Sequence, residues 1–168
     1  MMSNKALPHW YNERISTNFY MHEFLRSQTA SRYDIRNVPN DEQRENIHDL
    51  VRCLLQPLRT RVGSPLVISS GFRSIRLNLA IGGSENSEHT LGGAADFECF
   101  SMSNYELARI IRDEFMFHTL ILEFPEEGQP NAGWIHASYF RGSRRKKVMT
   151  ALRDKSGIIR YQPGLIIP

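Results

Sequence analysis

The sequence has little cysteine: Cys53 and Cys99 are the only two in 168 residues. Two are too few for a disulfide framework, and neither belongs to a paired Cys spacing of the kind that holds structural zinc. Both read as small buried hydrophobes. Long apolar runs are also missing; none approaches the ~20 residues a membrane-spanning helix needs. The opening "MMSNKALPHWYNERIST" is polar, without the continuous apolar stretch of a secretory signal peptide. The expectation is a chain made in the cytoplasm, carried outward by something else if it acts outside the cell. There is no internal repeat and no low-complexity segment. An excess of one charge sign is lacking too, with 21 Lys and Arg against 18 Asp and Glu. Five of those bases fall in "RGSRRKK", residues 141 to 147, which holds no acid; without it the balance is −2. The basic character is therefore one segment, read as a solvated loop or strand edge, or as a contact for a polyanion. No aromatic residue interleaves with these charges, which counts against stacking on nucleic-acid bases.

What is present is an ordinary globular composition, 40% hydrophobic and 23% charged, in a length suited to one domain over 1–168. The clearest helix is "VPNDEQRENIHDLVRCLLQPLRTRVG". Asn40 caps it, Asp41 and Glu42 suit its positive end, and Gln43 stands three residues after the cap. Apolar residues recur at three- and four-residue spacing from Ile47 to Val62, and Gly63 ends the run. Pro57 lies inside the pattern and predicts a kink near Cys53. "SNYELARIIRDEF" is a second helix, with Ser103 and Glu106 as a capping box. "PLVISS", "AADFECF", "TLILEF", "GWIHASYF", "KKVMTAL" and "GIIRYQP" read as strands, the last two as a hairpin. Segregated helices and meandering strands predict an α+β fold, a mostly antiparallel sheet with helices on one side.

One stretch fits neither element cleanly: "SEHTLGGAADFE", residues 87 to 98. A histidine in a loop and an acid seven positions later on a strand converge if "TLGGAA" turns sharply, and Gly92 and Gly93 allow that turn. His136 in "GWIHAS" is a third candidate. Histidine, aspartate and histidine with an open fourth position form a plausible catalytic zinc set. Spacing alone leaves the bland readings open, a core histidine on an apolar strand and an aspartate anchoring a turn.

Taken in order, "SSGFRS", "SEHTLGGAAD" and "GWIHAS" resemble the zinc D-alanyl-D-alanine carboxypeptidase family. That family includes phage endolysins that cut the L-Ala–D-Glu bond, and shares its metal fold with the hedgehog zinc domain. Its Ser-x-His, Gly, Ala, Asp pattern matches Ser87, His89, Gly92 or Gly93, Ala94 or Ala95, and Asp96; its third ligand matches His136. Its "SG-aromatic-R" motif matches Ser70, Gly71, Phe72 and Arg73. The resemblance runs from about 18 to 139, leaves a basic hairpin extension over about 141–168, and is nearest to short signal-less phage and prophage members.

The resemblance implies one zinc ion per chain on His89, Asp96 and His136, and a peptidoglycan stem peptide as substrate. It also implies an acid–base carboxylate, which many members place three residues before the third ligand. Here that position is Gly133. Glu123 in "LILEF" is the leading replacement; Glu98, two residues beyond Asp96 on the same strand face, is its rival, ahead of Glu126 and Glu127. Arg73 would pair with a substrate carboxylate or serve as a structural ion pair. Ser87 would bond substrate or orient its loop, and Trp134 would wall the cleft or sit in the core. His9, His22 and His48 read as surface or satisfied core residues, and so does His118, although it begins the strand leading to Glu123. The leading reading is a zinc peptidase, a carboxypeptidase or an endolysin-type endopeptidase, reaching the wall through a holin or on a phage particle. The alternatives are a non-catalytic zinc module for wall binding or virion structure, and behind it a nucleic-acid binder using 141–147.

Overall fold

A computed structural model describes residues 7–143 and 145–166. The first six residues of the polar N-terminal stretch, and Arg144 of the basic run, lie outside them. Six strands form one sheet: β1 (Val67–Ser70), β2 (Ala94–Glu98), β3 (Thr119–Glu123), β4 (Trp134–Ser138), β5 (Lys147–Arg153) and β6 (Ile159–Pro163). Their spatial order is β1-β2-β4-β3-β5-β6. Every neighbouring pair is antiparallel except β3 with β5. This is the expected α+β fold with a mostly antiparallel sheet.

Alternation along the strands decides what each face carries. Ala95, Phe97, Leu120, Leu122, Ile135 and Ala137 are all fully buried on one face. On the other face the register aligns Asp96, His136, Ile121 and Met149 in one row across four strands. Glu123 stands opposite Trp134 in the next row of that face.

The apolar face is covered by helices. After a short α1 (Gln28–Arg32), the longest run starts at α2 (Asp41–Leu50) and continues through a π-helical turn (Val51–Leu55) into α3 (Gln56–Val62). Asn40 and Gln43 form the expected capping box, and Gly63 closes the run at φ 66°, a left-handed angle that glycine takes without a Cβ penalty. Pro57 has no N–H to give the turn before it. The expected disturbance is the π turn, in which the Gln56 N–H reaches back five residues to the Val51 carbonyl. Leu50, Val51, Leu54, Leu55 and Leu58 are fully buried beneath it. Cys53 corrects the reading of both cysteines as buried: it is exposed, because the stripe at 50, 51, 54, 55 and 58 turns the core away from position 53, whereas Cys99 is buried. The other principal helix, α5 (Asn104–Glu114), carries its capping box on Ser103 and Glu106 and packs Leu107, Ala108 and Ile111 behind β3 and β4. A short α4 (Ile75–Ala80) packs against α1, with Leu77 buried beside Ala30 and Ile35.

The C-terminal hairpin forms as expected, β5 with β6, around a turn held by Asp154, whose Oδ1 accepts from the Ser156 and Ile158 N–H groups. The basic run before it is not one patch. Arg141 makes a two-pronged ion pair with Asp49 at 2.6 and 3.0 Å, and Lys146 lies over the Phe117 ring. Arg145 donates to His118, and Lys147 opens β5. Among the described residues, no helix is long and apolar enough to cross a membrane.

Candidate metal centre

A 3-10 turn over Glu88–Leu91 ends at Gly92, whose φ of 79° is left-handed. A β-carbon at Gly92 would also collide with the Gln43 backbone, so glycine is required there twice over. This turn drops His89 onto the polar face of the sheet directly over Asp96 of β2, whose register partner in β4 is His136. All three side chains are nearly buried.

Three atoms meet there. His89 Nε2 is 3.1 Å from Asp96 Oδ1 and 3.1 Å from His136 Nδ1, and His136 Nδ1 is 2.9 Å from Asp96 Oδ1. Ligands about 2.0–2.1 Å from a tetrahedral zinc stand roughly 3.3 Å apart, so this triangle is nearly the size such an ion needs. The tautomers agree. His89 Nδ1 lies 2.7 Å from the Gly71 carbonyl, which can only accept, so that nitrogen carries the proton and Nε2 presents its lone pair. Two imidazole lone pairs and a carboxylate converging on one point call for a cation between them.

The electrostatics give the same answer. Burial alone would raise the Asp96 pKa, but the charges and hydrogen bonds of His89 and His136 hold it far below the usual carboxylate range. Burial alone would lower His136; hydrogen bonds and charges from Asp96 and Glu88 outweigh that and raise it to about 9. His89 is lowered, chiefly by burial, so the extra proton that charges the metal-free cluster resides on His136.

Around the triad lies a cleft of about 680 Å³. Arg73 lines it, with Nε donating to Ser70 Oγ at 3.1 Å and Nη2 to Asp96 Oδ2 at 2.9 Å. That pairing leaves Asp96 Oδ1 aimed at the two histidines. Ser87, at the head of the 3-10 turn, lines the cleft, as does Trp134, whose ring meets Phe124 edge to face. Glu123 lines the cleft and is partly buried; burial raises its pKa, the His136 charge opposes this, and the Asp96 charge adds to it. Glu98, Glu126 and Glu127 are not part of the lining. His9 is exposed, while Nδ1 of His22 and of His48 is buried without a partner among the described residues, so neither ring is fully satisfied.

Sequence reasoning passed over Glu88, although it sits inside the motif that carries the resemblance. Thr119 Oγ1 donates to its Oε1 at 2.9 Å, and its Oε2 is 3.6 Å from His136 Nε2. Burial alone would raise its pKa; the His136 ring and the Ser138 and Thr119 hydroxyls bring it to about 2. The hairpin's share of the cleft was also missed: Lys147, Met149, Ile159 and Tyr161 all line it.

With this geometry in view, the comparisons with known proteins are specific. The model of the family described as Peptidase M15 matches residues 17–136, most of the chain and the whole of the triad. A 60-residue stretch is 38% identical to the zinc D-Ala-D-Ala carboxypeptidase of Streptomyces albus G, covering 35% of this chain and 24% of that protein. The chain therefore matches about a quarter of that relative's length. On the family match, and with a donor set fitted to a metal at its centre, the chain belongs to the Peptidase M15 family.

Proposed function

We propose that this protein is a zinc-dependent peptidase that hydrolyses a peptide bond in peptidoglycan stem peptides, with His89, Asp96 and His136 holding one zinc ion. The observation that carries the reading is the convergence of three ligand atoms at 2.9–3.1 Å from two strands and a glycine-ended turn, inside a cleft that also contains a carboxylate. Membership of a peptidase family supports the reaction class, and the name of the Streptomyces relative supports zinc and a D-Ala-D-Ala peptide.

When bound, zinc supplies a water of lowered pKa and a polarised scissile carbonyl. Glu123 takes the proton from the attacking water and delivers it to the leaving amine nitrogen. Its partial burial suits this work, since a carboxylate raised from its ordinary value is a stronger base towards the attacking water than an exposed one. Arg73 fixes Asp96 through Oδ2, and its Nη1, without a protein partner among the described residues, is the donor left for a substrate carboxylate. Ser87 and Trp134 are the remaining substrate contacts, one polar and one flat and apolar. Arg145 and Lys147, neither within ion-pair distance of an acid among the described residues, give one end of the cleft a positive charge for acidic stem peptides.

Digestion of purified peptidoglycan, with and without a chelator and read by mass spectrometry, tests the reading. A chelator-sensitive cut establishes the peptidase, and the fragment masses separate D-Ala-D-Ala carboxypeptidase from endolysin-type cleavage. No cut from a chain that still binds one zinc would replace the reading with a non-catalytic zinc module.

A further inference from the structure

We infer that Glu88 is the positioning residue for His136, determining which ring nitrogen that histidine offers to the metal and thereby how tightly the metal is held. The inference rests on the reading of the triad as a metal site and does not depend on the peptidase activity.

His136 faces the other two ligands with Nδ1. An imidazole can offer Nδ1 to a metal only while its proton is on Nε2, so something must accept that proton. Glu88 Oε2 lies 3.6 Å from Nε2, is buried, and has no hydrogen-bond partner among the described residues. A buried carboxylate oxygen without a partner is costly unless it serves such a donor. The other oxygen is anchored by Thr119 Oγ1 at 2.9 Å, which keeps the carboxylate from swinging away. Thr119 is on β3 and His136 on the adjacent β4, so the brace is built from the same sheet that carries the ligand. Glu88 also precedes His89 in the 3-10 turn, so one turn supplies one ligand and the brace of another. Glu88 is not itself one of the converging ligand atoms.

The test is zinc binding by the full chain in competition with a chromophoric chelator. Glu88→Gln keeps the shape and removes the charge; zinc affinity is expected to fall roughly ten- to a hundredfold. Thr119→Val removes only the anchor and is expected to cost about fivefold. Circular dichroism checks that each variant is folded, and Thr119→Val keeps the inference exposed if Glu88→Gln is not. In 1H–15N spectra of the zinc-loaded protein, the His136 Nε2 proton should be protected from exchange in the wild type and lose that protection in Glu88→Gln. A folded Glu88→Gln variant that binds zinc within twofold of wild type would overturn the inference. So would lost affinity with the His136 proton unchanged. No peptide enters the measurement, so a chain that holds zinc through Glu88 yet cuts nothing would sink the peptidase reading and leave this one standing.

Discussion

The carbonyl oxygen of Glu123 occupies the space that a β-carbon on Gly133 would need. Gly133 also has φ 71°, a left-handed angle. No acid can be carried at this position, where the resemblance led one to be expected, because the neighbouring strand's backbone already fills it. The residue whose carbonyl fills it is Glu123, whose side chain lines the cleft together with those of Glu88 and Asp96. Glycine at 133 and glutamate at 123 are thus tied together by one strand pairing.

Restoring the acid at position 133 should therefore fail. Gly133→Ala and Gly133→Glu are each expected to destabilise the fold by about 3 kcal/mol or more, from the left-handed angle and the backbone collision together. Urea unfolding measures this. A Gly133→Glu variant as stable as wild type, or one that rescued Glu123→Gln, would show that the strand pairing does not exclude the side chain.

Glu123→Gln removes the proposed proton carrier and leaves His89, Asp96 and His136 intact. The expected result is a loss of about 10²- to 10⁴-fold in kcat, with zinc stoichiometry unchanged. Glu98→Gln, on the same sheet face but away from the cleft, should stay within about threefold on the scale of ordinary surface substitutions. The reverse pattern would move the acid–base role to Glu98.

The candidate triad was legible because its residues lie in short motifs, "SEHTLGGAAD" and "GWIHAS", whose family resemblance decided what spacing alone left open. The register that sets Glu123 opposite Trp134 is a long-range fact, and so is the row Asp96–His136–Ile121–Met149. Helix caps at Asn40 and Ser103 were readable from four residues each, since a cap is decided by its own side chain. The basic run was readable only as composition. Its dispersal depends on Asp49, 92 positions from Arg141, and on the Phe117 ring beneath Lys146. Glu88 was hidden for a similar reason: its partners Thr119 and His136 come from two other strands.

Zinc binding should depend on pH with a definite sign. In the metal-free protein His136 is raised from 6.5 to about 9, so below that pH a proton must leave before the metal enters. Zinc affinity is expected to climb about tenfold per pH unit between pH 7 and 9 and then level off. Near pH 7, calorimetry in buffers of different ionisation enthalpy should count about one proton released. The raised pKa also stabilises the metal-free fold, fully below the unfolded value of 6.5 and progressively less as pH rises through 9. Melting of the metal-free protein should therefore drop over that window. Proton-neutral zinc binding at pH 7 would show that His136 is already neutral there.

The last prediction concerns the hairpin, which lies beyond the family match ending at residue 136. Asp96 is paired with Arg73 and Glu88 with the His136 ring, whereas Arg145 and Lys147 have no acidic partner among the described residues. With a divalent cation added, the cleft carries a net positive charge whose free part lies on the hairpin side. An acidic peptide is drawn there, and an uncharged one gains nothing. Reversing both charges, Arg145→Glu with Lys147→Glu, should raise KM for an acidic stem peptide roughly tenfold, the sum of two exposed charge contacts. Little change in kcat is expected, because neither residue touches the reacting atoms. Added salt should weaken binding in the wild type and strengthen it in the variant, since screening there removes a repulsion instead of an attraction. If KM stays the same and kcat falls, the hairpin shapes the metal centre and does not select the substrate.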